Sequence, residues 1–572
     1  MPRTIRGEPS AHPRWSRWLP LAAAALACVA YFNALDNPFV YDDHDTVIGN
    51  RSLSDPSNLR FILVYTPFRP LVNASYAFDR WLWDYHPFGY HVTNLVLHVV
   101  VVILLYAWLR GIIDDAGAGR DSRGLAFMGA ACFAVHPLQT EAVGYVSGRS
   151  EVLCAAFFIA ALLLARSAIL SGNRTRAVLA IVSGILALAS KETAIVLPLV
   201  FLSYDWLLRP GPDTVRRWRL WQVCVPLSVL VAIGAVYRIS RLSVGVSGFW
   251  SGVLNAETQA IVIWRYLKLL VWPFGQSIMH SVHRVTTIAD PLGIMAVIGI
   301  VGLVGAAVRV HRSHPLVAFG LVWFLAVLGP SSSVIPLREG MAEHRVYLAS
   351  AGFLTSIAGV LRALLTWSSV SLQSRRVAVA LVLVVLCVLT IRRNQTWSDP
   401  VALWSEATLH AEDMWEPHYA LADTLRERGR CDAAIPEYER VVAMRPAHRD
   451  AHTNLGICLA QTSQLEEAER QFRQALALDP SYARGYTNLG ALALIAGDNE
   501  RARDFYLRAL DVDRDNVLAR MQLASLYEKS FHDYHAAARM CGEARLLAPA
   551  TPGVVECVER NQRLALGQGG KQ

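Results

Sequence analysis

Up to about residue 395 the apolar positions come in long unbroken blocks, without the alternation of a half-buried strand or the single stripe of a surface helix. Eleven such blocks fall at 18–34, 92–109, 124–139, 152–165, 177–189, 193–208, 220–237, 291–308, 315–330, 347–365 and 377–391. Each is long enough, or nearly so, to cross a bilayer as a helix, and the shorter ones are expected to be sheltered inside a bundle. The stretch 260–271 is also apolar, but it carries Arg265 and Lys268 and ends at Trp272 and Pro273. It reads as an interfacial or re-entrant helix.

Beyond residue 416 the pattern changes to charged, alanine-rich and helical, with a period of 34. Leu421–Ala422 returns as Leu455–Gly456, Leu489–Gly490 and Leu523–Ala524; Ala434 returns as Ala468 and Ala502; Tyr438 returns as Phe472 and Tyr506. That spacing predicts tetratricopeptide repeats, in which paired antiparallel helices stack through small residues and an aromatic fills the gap. About four repeats are expected, forming a solenoid whose concave side suits a peptide or extended protein segment. The fold class is therefore all-α: a polytopic membrane helix bundle followed by an α-solenoid. Domain limits are expected at 1–395 for the bundle, with a long first outer loop at 36–91, then 396–415 for a linker, 416–565 for the repeats and 566–572 for a tail.

Composition agrees with a membrane protein: 53% hydrophobic residues and 17% charged, with mean hydropathy +0.31. The net charge of +8 comes mostly from arginines, and these follow a topological pattern rather than a nucleic-acid one. Arg3, Arg6, Arg14 and Arg17 precede the first span, and Arg110, Arg120, Arg123, Arg166, Arg174, Arg176, Arg209, Arg216, Arg217, Arg219, Arg309, Arg312, Arg375 and Arg376 all fall on the same side. The positive-inside rule places that side in the cytoplasm, with the N-terminus there and the repeats outside. The first span is expected to stay as an anchor rather than be cleaved. Arg392 and Arg393 do not fit, since this topology leaves them at the outer surface. Cys28, Cys132, Cys154, Cys224 and Cys387 lie in apolar runs, whereas Cys431, Cys458, Cys541 and Cys557 lie in the outer domain, where oxidation is chemically allowed. Their spacing is not that of a zinc site.

Candidate chemistry concentrates in the outer loops. The first holds Asp42, Asp43, His44 and Asp45 directly after the first span, then Arg69 and His91. Ionisable groups clustered beside a membrane are costly without a function. Further outer segments hold His136, Glu141, Arg149 and Glu151, then Lys191 with Glu192, then Arg338, Glu339, Glu343, His344 and Arg345. Carboxylates at the membrane surface activate a hydroxyl by taking its proton, and arginines stabilise a departing phosphate.

The segment Phe39-Val40-Tyr41-Asp42-Asp43, the residues His136, Pro137, Thr140 to Val143 and Gly148-Arg149, the pair Lys191-Glu192 and the run Glu343 to Leu348, followed by the repeats, resemble the transmembrane and tetratricopeptide-repeat family of O-mannosyltransferases. The likeness covers nearly the whole chain. It implies a glycosyltransferase of the GT-C fold that uses a lipid-phosphate-linked sugar as donor and needs no metal or other cofactor. The short loops and arginine bias point to a bacterial relative in an inner membrane, with a polyprenyl-phosphate sugar as donor and a protein hydroxyl as acceptor. The family's acidic motif falls on Asp42 and Asp43, one of which would be the general base of an inverting single displacement. Arg69, Arg149, Lys191 and Arg345 are the candidate cations for the donor phosphate. Glu141 would orient a sugar hydroxyl or an arginine, and His91, Glu343 and His344 would add substrate contacts.

Three other readings stand beside this one. The acidic tetrad has oxygen and imidazole donors of the kind that bind a divalent ion. A non-catalytic membrane scaffold would use the repeats to assemble partners in the cell envelope. A transporter would need ionisable residues in mid-membrane, whereas here they sit at span ends.

Overall fold

The computed structural model describes residues 14–117, 122–209, 214–241, 249–332, 339–367 and 371–569. Arg3, Arg6, Arg120 and Arg338 lie outside the described residues. All the described secondary structure is helical. The chain divides into two compact units, residues 1–403 and 404–572, so the division falls inside the expected linker. That linker is largely a helix, Pro400–His410.

In the first unit the helices are α1 Leu19–Tyr31, α2 Leu59–Tyr65, α3 Pro70–Trp83, α4 Pro87–Asp115, α5 Ser122–Val135, the single turn α6 Thr140–Val143, α7 Arg149–Ser171, α8 Arg174–Ser190, α9 Leu197–Leu208, α10 Thr214–Arg241, α11 Phe249–Val271, α12 Pro291–Val310, α13 Pro315–Leu328, α14 Tyr347–Trp367 and α15 Leu372–Ser398. Every apolar block of the sequence coincides with one of these helices. Prolines open α3, α4, α12 and α13 in the first turn, where a missing N–H costs nothing. Among the described residues six segments are long and apolar enough to cross a membrane, and α5 and α13 are shorter apolar helices. The stretch 260–271, expected to be interfacial or re-entrant, forms the second half of the uninterrupted α11.

The bundle core is aromatic and closely packed. Trp108 of α4 meets Tyr204 of α9 and Phe319 and Trp323 of α13 with ring centroids 5.3–6.4 Å apart. Helices α13 and α14 touch backbone to backbone: a Cβ on Gly352 would come within 2.7 Å of Phe324 N, and one on Gly320 within 2.5 Å of Gly352 O. Only glycine fits there. By contrast α12 and α15 expose long rows of valine, leucine and isoleucine, as lipid-facing helices do.

The second unit begins with the end of α16, Pro400–His410, and continues as the pairs α17 Trp415–Glu427 with α18 Cys431–Met444, α19 Arg449–Gln461 with α20 Leu465–Leu478, α21 Ala483–Ile495 with α22 Asn499–Val512, and α23 Val517–Leu526 with α24 Tyr534–Leu547, followed by α25 Pro552–Gly569. The period-34 residues are the packing residues: Ala434, Ala468 and Ala502 are fully buried, and so, nearly or fully, are Tyr438, Phe472 and Tyr506. Phe472 packs on Gly456 and Tyr506 on Gly490, with no space for a side chain at either glycine. Disulfides join Cys431 to Cys458 and Cys541 to Cys557, each across successive helices.

Candidate active site

After α1 a 3-10 turn, Phe32–Ala34, leads into the short stretch 37–40, and the chain reverses at Tyr41, whose φ of 51° lies in the left-handed region. A bulky side chain rarely adopts that conformation, and it is held by a tertiary contact: the Tyr41 hydroxyl bonds to Glu339 Oε1 at 3.0 Å. The turn sends two adjacent acids in opposite directions. Asp42 is exposed and anchored through its backbone N–H, which donates to the Tyr145 hydroxyl at 3.0 Å. Asp43 is fully buried. Its Oδ1 accepts the N–H and the hydroxyl of Ser147 at 2.8 and 2.6 Å, and its Oδ2 accepts Val40 N–H at 3.1 Å.

Burial raises the Asp43 carboxyl to about 7, with the nearby Asp42 charge adding to the rise and the donors of Ser147 and Val40 opposing it. His44 and Asp45 point to solvent. Among the described residues no group of three or more His, Cys, Asp or Glu side chains stands close enough to hold a metal ion, so the tetrad does not converge as a ligand set.

Ser147 is supplied by the turn between α6 and α7. Gly148 lies against the carbonyls of Glu141 and Ala142, 2.5 and 2.7 Å from where a Cβ would stand. The next residue, Arg149, is wholly buried and fully occupied. It pairs with Asp79 at 2.5 Å, donates to Asn94 Oδ1 at 2.6 Å and to Tyr90 O at 2.9 Å, and lies over the Tyr76 ring at 4.7 Å. Lys191 is likewise inward, paired with the buried Glu151 at 2.5 Å. Of the four candidate cations, these two are bound into the protein interior.

The remaining two differ. Arg345 is mostly buried and links to Glu339, donating to its backbone oxygen at 3.1 Å and pairing with its carboxylate at 3.7 Å. It thereby joins Tyr41 through a shared partner. Arg69, in the turn between α2 and α3, is 42% exposed and pairs loosely with Glu192 at 3.4 Å.

A second acidic group is formed by Glu141 of α6 and Glu343 just before α14. Glu141 accepts His344 Nδ1 at 2.6 Å and His344 N–H at 3.2 Å. Burial raises its carboxyl well above the usual range, and the Glu343 charge raises it further. Glu343 is caged by His280 Nε2 at 2.9 Å, Ser277 N–H at 2.8 Å and Gln276 Nε2 at 2.9 Å. His136 accepts Leu138 N–H at Nδ1, so its proton sits on Nε2 and points to Leu270 O at 3.1 Å. Burial pushes its pKa down to about 4 and keeps it neutral. His91 bonds to Asn37 O at 3.0 Å, beside the acidic motif.

The fold thus brings the Asp42–Asp43 motif, Glu141, Glu343, His344 and Arg345 into one hydrogen-bonded set of loops. Arg149 and Lys191 stand behind it, and Arg69 stands at the surface. Ser147, Tyr145, Asp79, Asn94, Gln276 and His280 carry much of this arrangement and have no signature of their own in the sequence. For Ser147, adjacency to Gly148-Arg149 is the one available signal. Arg393, which the arginine topology left unexplained, is a buried side chain with its guanidinium 5.9 Å over the Trp397 ring.

Residues 419–471 and 461–517 match the tetratricopeptide repeat family. The chain is 26% identical over 522 residues to human protein O-mannosyl-transferase TMTC1, covering 78% of this chain and 58% of that protein. Along most of its length it is similar to protein O-mannosyl-transferases. A second relative, protein O-mannosyl-transferase F38B6.6 of Caenorhabditis elegans, is 24% identical over 75% of this chain and 63% of its own length. The human protein O-mannosyl-transferase TMTC4 is 24% identical over 74% and 66%. This chain therefore spans between 58% and 66% of the length of these protein O-mannosyl-transferases.

Proposed function

We propose that this chain is a GT-C membrane glycosyltransferase that moves a mannose-like sugar from a polyprenyl-phosphate donor to a hydroxyl of a protein acceptor on the outer face of a bacterial inner membrane. The observation that carries the reading is the opposed burial of two adjacent acids. Asp42 is a solvent-facing carboxylate on a rigid, tertiary-anchored turn, the position a general base needs. Asp43, inside, fixes that turn to Ser147.

In the reaction the acceptor oxygen attacks the anomeric carbon while its proton passes to Asp42. The bond from that carbon to the donor phosphate oxygen breaks, and the lipid phosphate leaves with the electron pair. One displacement inverts the anomeric centre. Arg69, with surface to offer, meets the phosphate; Arg345 acts from the Glu339 side. Arg149 and Lys191, neutralised in buried pairs with Asp79 and Glu151, brace the elements behind the site rather than meet the phosphate. Glu141 with His344, and Glu343, shape the sugar side, and His91 holds the backbone at Asn37.

The repeats bind the acceptor outside the cytoplasm. The two disulfides in the repeat unit support that placement, because such bonds persist in oxidising compartments.

The test is transfer of labelled sugar from a polyprenyl-phosphate donor to membrane proteins by Asp42→Asn and Asp43→Asn variants. Loss of incorporation at wild-type protein levels is expected in both. Undiminished incorporation in the Asp42 variant removes it as the base.

A further inference from the structure

No step of the proposed chemistry uses Glu339, yet its carboxylate is where two parts of that chemistry meet. Oε1 accepts the Tyr41 hydroxyl at 3.0 Å, and Oε2 lies 3.7 Å from Arg345 Nη2. The same guanidinium donates through Nη1 to the Glu339 backbone oxygen at 3.1 Å. Tyr41 directly precedes the proposed base, Asp42, and Arg345 is a proposed phosphate cation. The Glu339 charge also reaches Glu141, whose carboxyl is raised first by burial, then by Glu343 and then by Glu339.

The backbone beside Glu339 is anchored from α11. Gln259 donates to Gly340 O at 3.0 Å, and the Tyr266 hydroxyl donates to Ala342 O at 2.9 Å while accepting Ala342 N–H at 3.2 Å. The carboxylate is thus offered from a fixed frame. Tyr41 needs such a partner, because its φ of 51° is a conformation that a bulky side chain holds only under tertiary constraint. A carboxylate suits both contacts because each of its oxygens is an acceptor. A carboxamide of the same shape has one acceptor oxygen and would turn its NH2 donors toward either the Tyr41 hydroxyl or the Arg345 guanidinium.

We infer that Glu339 is a positioning residue that couples Arg345 to the Tyr41–Asp42 turn, one oxygen holding the turn and the other the guanidinium. Its purpose rests on the proposed reaction, in which base and phosphate cation must keep one register; the coupling itself does not. A misplacement of about 1 Å in such a site costs on the order of a hundredfold in rate.

The experiment places a single 3-fluorotyrosine at Tyr41 of the full chain in detergent and reads its fluorine resonance with Arg345→Gln, with Glu339→Gln and with both. Arg345→Gln should move the resonance, and in the Glu339→Gln background the same change should move it by less than about one third as much. A resonance that Arg345→Gln leaves in place, or moves equally in both backgrounds, overturns the coupling whether or not the chain transfers sugar. Sugar transfer by chains without the label reads the purpose. Glu339→Gln and Tyr41→Phe should each lower kcat about tenfold or more with donor KM within about twofold, and the double variant should fall no further than either alone. Losses that multiply in the double variant, or that appear in KM alone, overturn the positioning role. A wild-type chain that transfers nothing defeats the proposed reaction, and the fluorine measurement still decides the coupling.

Discussion

Ser147 donates both its backbone N–H and its hydroxyl to one oxygen of Asp43, at 2.8 and 2.6 Å. Both bonds favour the ionised carboxylate and oppose the burial that lifts its pKa to about 7. If the turn presents Asp42 correctly only while Asp43 is ionised, transfer activity climbs as pH rises through about 7. Ser147→Ala removes one donor and keeps the other, so the acid limb should move to higher pH. Rates measured across pH 5 to 9 on membranes with matched protein levels read the midpoint. An unmoved midpoint in the variant would mean that Asp43 does not control the turn through its charge.

The same group makes a stability prediction with a definite sign. Asp43 titrates near 3.8 when unfolded and near 7 when folded, so between those values the folded state holds a proton that the unfolded state has lost. Its contribution is fully present below pH 3.8 and disappears as pH rises to about 7. Asp43→Asn cannot titrate. Thermal unfolding in detergent, compared between pH 4.5 and 7, should therefore show a smaller pH-dependent loss in the variant than in the wild type. Parallel slopes would exclude Asp43 as the group responsible.

Arg149 and Arg69 were equivalent in the sequence, and their surroundings make them opposites. Arg149 is a buried charge neutralised by Asp79. Truncating it to Met leaves an unpaired carboxylate in the interior, at a cost of about 3–5 kcal/mol. Arg69→Ala breaks only a half-exposed pair and should cost under about 1 kcal/mol, while raising KM for the donor lipid. Melting temperatures and donor titrations of the two variants separate these roles. A stable Arg149→Met, or an unaltered KM for Arg69→Ala, contradicts the assignment.

The sequence makes the helices legible because their signal is local. Apolar blocks need no partner to be recognised, and a 34-residue period repeats its own packing, as the Phe472 ring on Gly456 shows. The site is legible only as residue types. Asp42 and Asp43 are neighbours in the chain, and their difference in burial is set by Ser147, 104 residues away from Asp43. Lys191 is a surface cation by composition and an interior one by its pairing with Glu151. Likewise Arg393 reads as a topology violation until Trp397 and burial account for it. His280 has no pattern around it; only the fold brings it to Glu343.

The two disulfides tie the covalent chemistry of the repeats to the side of the membrane on which they stand. Cys431 opens α18 and meets Cys458 in α19, closing 27 residues; Cys541 in α24 meets Cys557 in α25, closing 16. Each limits the unfolded chain and should stabilise the repeat unit by about 3 kcal/mol in a chain-entropy description. A reductant should accordingly lower the unfolding temperature of the repeats, and Cys431→Ser with Cys458→Ser should remove most of that sensitivity at the first pair. In intact cells, a thiol reagent added without reductant should leave all four cysteines unmodified and label them after reduction. Labelling of all four before reduction would place the repeats in a reducing compartment, which contradicts the outward orientation and with it an acceptor bound outside the cytoplasm.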